Sequence, residues 1–267
     1  MAVASLPMYD LPEARPALDA LWAGIARELS RVGLEVPARL THDEPGSALW
    51  SAPDLLFSQC CGADLTGAPG ATLQPVATPR YRAPGCAGAR YASLLVVSDA
   101  AAITVVEDLR GRIAAVNHPR SHSGANALRA LIAPLSRAGR FFAGVVESGS
   151  HAESLALVQE RRADVAAIDC VSHALLARHR PAALAGTRVL CRTAGAPAPP
   201  FVTRKSAGAE LVARLREALR CAFADPALAR AREDLLLDGI ELLPPAAYAR
   251  IAAFARFAAR HGYPALR

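Results

Sequence analysis

The alternation of strand-like runs with helical periodicity over about the first 190 residues most constrains the fold of this chain. Such an order is typical of βαβ units, and it predicts an α/β protein with mostly parallel sheets flanked by helices. Residues 63–90 are rich in proline and glycine and are predicted as loops. Strands are predicted at about 2–6, 35–42, 54–57, 91–98, 112–116, 141–148, 163–169 and 187–193.

The strand predicted at 91–98 separates two such patterns. A proline-rich return segment at about 192–203 is followed by a region, about 206–261, that is predicted as mostly helical with breaks near Asp225–Pro226 and Gly239–Pro245. The order predicts two lobes, with residues 1–98 plus 192–267 in lobe 1 and residues 99–191 in lobe 2.

Helical spacing of apolar residues is clearest at about 13–32, where we expect one buried face and a helix that ends at Gly33. A second helix of this kind follows the serine-rich segment at 121–124. The apolar positions of the first helix are Leu18, Leu21, Trp22, Ile25, Leu29 and Val32, and those of the second are Leu128, Leu131, Ile132 and Leu135.

Charge and composition narrow the class of ligand. The 267 residues carry a formal net charge of +6, and Lys205 is the single lysine. The arginines are spread along the chain, and with 5% aromatic residues there is no basic, aromatic run that would predict nucleic-acid binding. A mild positive field suits a small anionic ligand, although an arginine- and alanine-rich source genome explains the composition equally well. No uninterrupted apolar run is long enough to predict a membrane span.

The first residues, MAVASLPMYDLPEARP, lack the basic and apolar regions of a secretory signal. Taken at face value they predict a cytoplasmic chain, and a processed form of an exported chain would look the same. Six cysteines are present without a C-x-x-C motif or a His cluster, so no metal site is predicted. Disulfides Cys61–Cys86 or Cys170–Cys191 and buried free thiols both remain open.

Polar residues follow several predicted strands, at the sheet edge where ligands bind in open parallel sheets. Such residues are also what loops ordinarily contain. They are Tyr9, Ser58, Gln59, Asn117, the serine motif Ser121–Gly124, His151 and Asp169.

The serine motif, Ser121, His122, Ser123 and Gly124, stands directly before a helix. Unpaired N–H groups at a helix start, with serine hydroxyls and a glycine beside them, are suited to holding an anion. An ordinary N-cap explains the serines as well.

His151 and Asp169 have simpler interpretations too, as an N-cap neighbour and as the cap of the next helix. An acid fits an anion site if the ligand carries a proton or an amine that the carboxylate can accept. No G-x-S-x-G, H-E-x-x-H, P-loop or G-x-G-x-x-G motif is present, so neither a catalytic site nor a cofactor is predicted.

Three segments together resemble the PhnD-like family, the phosphate, phosphite and phosphonate substrate-binding proteins of ABC transporters. They cover most of residues 50–205 and occur in the family's order. They are PDLLFSQCCGADL at 53–65, DLRGRIAAVNHPRSHSGANALRALI at 108–132 and SGSHAESLALVQERRADVAAIDCVSHALL at 148–176.

This resemblance implies a two-lobe type II periplasmic-binding-protein fold with the ligand in the cleft between the lobes. It implies that Ser121, His122, Ser123 and Gly124 hold the oxyanion with His151 and Asp169 of the same lobe. Tyr9, Ser58 and Gln59 would close on it from the other lobe. Where the family commonly has a small hydroxyl residue, His122 would add charge or change the ligand.

The expected function is therefore a monomeric, non-enzymatic binding protein that captures a small phosphate- or phosphonate-like anion for an ABC transporter permease. The resemblance implies a periplasmic location. Two alternatives remain on the same scaffold. One is an enzyme of small-molecule or cofactor metabolism with His151 and Asp169 as acid–base groups, and the other is a cytosolic ligand sensor.

Overall fold

The computed structural model describes residues 2–44, 46–67 and 71–267. Its strands are β1 (Val3–Ala4), β2 (Leu55–Gln59), β3 (Leu73–Tyr81), β4 (Arg90–Tyr91), β5 (Ser93–Ser98), β6 (Ile113–Val116), β7 (Gly144–Glu147), β8 (Val165–Asp169), β9 (Thr187–Arg192), β10 (Ala196–Pro197), β11 (Phe201–Arg204) and β12 (Leu237–Glu241). Its α-helices are α1 (Arg15–Arg31), α2 (Gly46–Trp50), α3 (Gly62–Thr66), α4 (Ala127–Ile132), α5 (His151–Gln159), α6 (Cys170–His179), α7 (Ala209–Ala224), α8 (Ala229–Asp234) and α9 (Ala249–Arg260).

The chain forms two compact α/β units, each discontinuous in sequence. The first unit comprises Met1–Arg82 and Pro197–Tyr248, and the second comprises Ala83–Ala196 and Ala249–Arg267. These boundaries differ from the predicted 1–98 plus 192–267 and 99–191. The strand β5 belongs to the second unit because it pairs with both β8 and β9. The C-terminal segment joins it because Ala258 and Tyr263 lie in that unit's core.

The first unit is built on a mixed five-stranded sheet with the order β1-β2-β11-β3-β12. The strands β1 and β2 pair in parallel, whereas β11 runs antiparallel to β2 and β3, and β12 antiparallel to β3. Aromatic rings of α1, β2 and β11 pack together in its core. The ring centroids of Trp22 and Phe57 are 5.8 Å apart, and those of Phe57 and Phe201 are 5.3 Å apart. The expectation of mostly parallel pairing is wrong for this sheet.

The helix α1 confirms the predicted apolar face. Leu18, Leu21, Trp22, Ile25 and Leu29 are all buried. The predicted glycine stop is also present, since Gly33 has φ +77° and the Leu34 N–H donates to the Leu29 carbonyl. Val32 is 51% exposed because the helix ends one residue before it.

Three segments of the first unit differ from prediction. Residues 35–42 form no strand, and the Thr41 N–H donates a hydrogen bond to the Ala4 carbonyl of β1. Much of 71–82, predicted as loop, is β3, because pairing on both sides outweighs the ladder bonds lost at Pro75 and Pro79. Residues 68–70 of that loop lie outside the described residues. The strand β12 interrupts the predicted helical region by pairing with β3.

The second unit has a five-stranded sheet with the order β7-β6-β8-β5-β9. The strands β7, β6 and β8 are parallel, and β5 runs antiparallel to β8 and β9. Its core includes Leu95, Val97, Leu128, Ile132 and Val165. The helices α4, α5 and α6 follow β6, β7 and β8, as the alternation predicted.

All six cysteines are described and free, so neither Cys61–Cys86 nor Cys170–Cys191 is a disulfide. In the described part of the chain, no helix is both long and apolar enough to cross a membrane. Nor do the described histidine, cysteine, aspartate and glutamate side chains form a group of three or more that could hold a metal ion.

Candidate functional site

Three helix starts lie at one edge of the second unit's sheet. Because β6 is parallel to both β7 and β8, the carboxyl ends of the three strands share that edge. The chain then enters a π-helical turn at His122–Asn126 that leads into α4, and α5 and α6 begin at His151 and Cys170. Each helix start carries partial positive charge, so this edge favours an anion.

Ser121 is the N-cap of the π-helical turn. Its backbone is extended, and its Oγ accepts a hydrogen bond of 3.2 Å from the Gly124 N–H. The N–H groups of Ala125 and Asn126 donate to the Ser121 carbonyl, which widens the first turn. The capping interpretation of Ser121 is therefore correct, and such π-turns frequently occur at functional sites.

Ser123 and His151 join two of the helix starts. The Ser123 Oγ lies 3.0 Å from His151 Nε2 and 3.4 Å from Ser121 Oγ. Burial lowers the pKa of His151 to about 4, so the imidazole is neutral at neutral pH. Its Nδ1 is buried and has no hydrogen-bond partner in the structure. A buried polar atom of this kind is available to a ligand.

Gly124 allows Asn117 to approach the helix start. A Cβ at position 124 would lie 1.9 Å from Asn117 Oδ1 and 3.2 Å from the Asn117 backbone nitrogen. The Oδ1 of Asn117 is also buried without a partner. The sequence pattern placed Asn117 after a strand but did not select it for the site, and the structure brings it to the serine motif.

Asp169 ends β8 and caps α6. Its Oδ1 accepts hydrogen bonds from the N–H groups of Val171 at 2.7 Å and Ser172 at 3.1 Å, and its residue is 1% exposed. Ser93 of β5 is its cross-strand neighbour and donates its hydroxyl to the Ser123 carbonyl at 2.8 Å. The sequence offered no signal for Ser93, because its place depends on the antiparallel insertion of β5.

His122 has a different environment from the one predicted for an anion site. Its ring is 2% exposed and packs edge-on against Phe254 of α9, with ring centroids 4.9 Å apart. Its Nδ1 lies 3.1 Å from Asn126 Nδ2. Burial lowers the pKa of His122 to about 4, so the expected additional positive charge is absent at neutral pH.

Two of the three predicted residues of the first unit lie together. Tyr9 packs edge-on against Tyr81 with centroids 5.2 Å apart, and Gln59 Nε2 donates to Tyr81 Oη at 2.9 Å. The Gln59 amide also donates to the Pro199 carbonyl at 2.9 Å. Both predicted residues are buried.

Ser58 belongs to a separate hydrogen-bonded group. It was expected beyond the end of a strand, but Ser58 and Gln59 are the last residues of β2 because both pair with β11. The Ser58 Oγ lies 2.8 Å from Ser5 Oγ and accepts a bond of 3.2 Å from Trp50 Nε1. The hydroxyl is therefore engaged within the first unit.

A family model matches residues 65–248 of the chain, and its description is "ABC transporter, phosphonate, periplasmic substrate-binding protein". The match spans more than half of the sequence. This family is a binding component of a transporter and not an enzyme, which confirms the non-enzymatic interpretation. Among curated protein sequences, none matches the chain.

Solved structures share the fold at low sequence identity. A binding-protein component of an ABC phosphonate transporter from Pseudomonas aeruginosa has a TM-score of 0.74 and 18% identity, over 98% of this chain and 87% of that one. A Xanthomonas citri protein bound to ATP has a TM-score of 0.72 and 18% identity, over 98% of each chain.

PhnD1 from Prochlorococcus marinus, in complex with methylphosphonate, has a TM-score of 0.72 and 13% identity, over 96% of this chain and 97% of that one. These similarities confirm the predicted periplasmic-binding-protein fold. With the family match, they show that the chain belongs to the phosphonate substrate-binding proteins of ABC transporters.

Proposed function

We propose that this protein binds a phosphonate- or phosphate-like oxyanion through the serine motif of its second unit and presents it to an ABC transporter permease from the periplasm. The observation that carries the ligand site is the connection of two helix starts through Ser121, Ser123 and His151, with the buried, unpartnered Nδ1 of His151 beside them.

Hydroxyl and N–H dipoles supply the attraction in this proposal. His151 is neutral at neutral pH, because burial lowers its pKa to about 4. The positive ends of the helices and the hydroxyls of Ser121 and Ser123 face the negative ligand oxygens. Hydrogen bonds to a charged group are worth about 1.5–3 kcal/mol each, so a few of them give substantial affinity.

Acceptors beside these donors constrain the ligand's protonation state. Asn117 Oδ1 lacks a partner, and Asp169 caps the neighbouring helix. An acceptor next to an anion is favourable when the anion carries a hydrogen that it can donate. We therefore expect the bound form to be a protonated phosphonate or one that carries an amino group.

Calorimetry with methylphosphonate, phosphite, phosphate, 2-aminoethylphosphonate and methanesulfonate tests the proposal. We expect binding of at least one phosphorus oxyanion and weaker binding of the sulfonate, which has no proton to donate. At 100 times the dissociation constant, such a ligand adds about 2.7 kcal/mol to the free energy of unfolding, which a thermal-shift assay detects.

The double variant Ser121→Ala, Ser123→Ala should lose at least about 100-fold in affinity, since two hydrogen bonds to the anion are removed. Ser136→Ala is the matched control, because its Oγ donates to the Ala133 carbonyl beyond the other end of α4. Circular dichroism should show both variants folded. Unchanged phosphonate affinity in the double variant would contradict the proposed ligand site.

ATP, the ligand in the Xanthomonas citri structure, serves as a competitor in the same assay. Preferential ATP binding would contradict the proposed ligand class.

A further inference from the structure

We propose that Cys86 and Cys170 form a dithiol modification site that is converted to an intramolecular disulfide by thiol–disulfide exchange with a small disulfide. The Sγ atoms of these two residues lie 3.5 Å apart, although 84 residues separate them in sequence. The proposal is independent of the ligand proposed for the serine motif.

The backbone on both sides holds the two thiols together. The Cys86 N–H donates to the Ala83 carbonyl at 2.9 Å, and the Cys170 N–H donates to the Ala92 carbonyl at 3.1 Å. Both thiols belong to the second unit. The Sγ atoms, now 3.5 Å apart, need to approach to about 2.05 Å to form a disulfide.

Gly85 makes this approach possible. Its φ is +105°, and a Cβ at this position would lie 3.0 Å from the Cys170 Cβ and 3.3 Å from its Sγ. A side chain here would therefore be strained and would press on the thiol. The absence of a side chain at Gly85 therefore lets the turn that carries Cys86 lie close to Cys170.

The two thiols differ in access and acidity. Cys86 is partly exposed, whereas Cys170 is fully buried at the start of α6. A hydrogen bond from Cys170 lowers the pKa of Cys86, and the same bond, burial and the charge of Asp169 raise the pKa of Cys170. Cys86 is therefore the attacking thiol and Cys170 the resolving thiol.

The exchange has two steps. Cys86 releases its proton to solvent, and its thiolate attacks one sulfur of an external disulfide, which forms a mixed disulfide and releases one external thiolate. Cys170 then gives up its proton to that thiolate and attacks the Cys86 Sγ, which forms the Cys86–Cys170 bond and releases the second external thiolate, and this thiolate takes up a proton from solvent. Two protein thiols are oxidised, and one external disulfide is reduced to two thiols.

Cys86 is partly exposed, which gives the external disulfide access to it, and a pocket of about 430 Å³ borders Cys170. Its wall includes Gly85, Leu94, Cys170, His173 and Cys191. Cys191 lies in the same wall as Cys170, so its substitution serves as a control for oxidation of a neighbouring thiol.

The test uses the full chain with oxidised glutathione as the probe, followed by peptide mapping under non-reducing conditions. We expect a peptide pair linked through Cys86 and Cys170 and a rise in Tm of roughly 5–10 °C that a reductant reverses. Cys170→Ser should accumulate a mixed disulfide with glutathione at Cys86, and Cys86→Ser should form neither product.

Cys191→Ser and the surface variant Cys221→Ser are the matched controls and should form the same Cys86–Cys170 link as the unsubstituted chain. The proposal is overturned if oxidation links other cysteines or links none. It is overturned as well if Cys86→Ser accumulates the mixed disulfide at Cys170, because the order of attack would then be reversed.

Discussion

The polar residues that follow strands have different roles in the two units. In the second unit, Ser121 and Asp169 begin helices and accept bonds from backbone N–H groups. In the first unit, Ser58 and Gln59 lie within β2 and bond to other side chains and to two backbone carbonyls. A polar residue before a helix therefore predicts a local structure, whereas the role of one at a strand end depends on what the sheet places beside it.

The largest expected difference between the two units is in how their stability depends on pH. Burial lowers the pKa of His122 and His151, both in the second unit, to about 4. The unfolded chain, with histidine pKa values of about 6.5, binds more protons than the folded chain as pH falls below that value. Stability is therefore complete above pH 6.5 and falls toward pH 4. We expect a loss of about 2 kcal/mol for each histidine between pH 7 and 4.5.

The pKa of His42, in the first unit, is shifted in the opposite direction. Burial by itself would lower its pKa, but hydrogen bonds to Asp19 and Asp10 raise it. The stabilisation from His42 is complete below the ordinary histidine pKa and is lost as pH rises through the raised value. Acid should therefore weaken the second unit first.

Fluorescence separates the two units, because both tryptophans, Trp22 and Trp50, lie in the first unit. In thermal unfolding at pH 4.5, the circular dichroism transition should begin at lower temperature than the tryptophan transition. Equal stability at pH 7 and 4.5, or a tryptophan transition that comes first, would contradict this prediction. The variant His122→Gln should reduce the pH dependence of the free energy of unfolding.

The next largest effect is expected at Asp169. Asp169→Ala removes the acceptor for the Val171 and Ser172 N–H groups in a buried position, at a cost of about 2–3 kcal/mol in the free energy of unfolding. Asp169→Asn keeps an N-cap oxygen and should recover most of that stability. Urea denaturation measures both. If the two variants were equally stable, the capping role of Asp169 would be refuted.

The smallest effect is expected at Ser58. Ser58→Ala leaves Trp50 Nε1 and Ser5 Oγ without their partner, and we expect a loss of about 1–2 kcal/mol in stability. Phosphonate affinity should change by less than about threefold, because the hydroxyl is engaged within the first unit. Calorimetry beside urea denaturation separates the two effects, and a tenfold loss of affinity at normal stability would restore Ser58 to the ligand site.

Short-range sequence patterns were sufficient to predict much of the local structure of this protein. The apolar face of α1, its stop at Gly33 and the helices that follow β6, β7 and β8 all depend on short-range spacing and capping, which are present in the sequence itself. The resemblance to a known family also follows from contiguous residues, and the family match confirms that family.

Long-range pairing decided the rest. The antiparallel insertion of β5 brought Ser93 to Asp169, and the packing of α9 placed Phe254 against His122, which removed the charge expected there. Likewise, only the fold brought Cys86 to Cys170. Capping, turn and local burial preferences act over a few positions, so they can be predicted from short stretches of sequence. Which distant residues come into contact depends on strand order and helix docking, and these follow from the burial of the whole core.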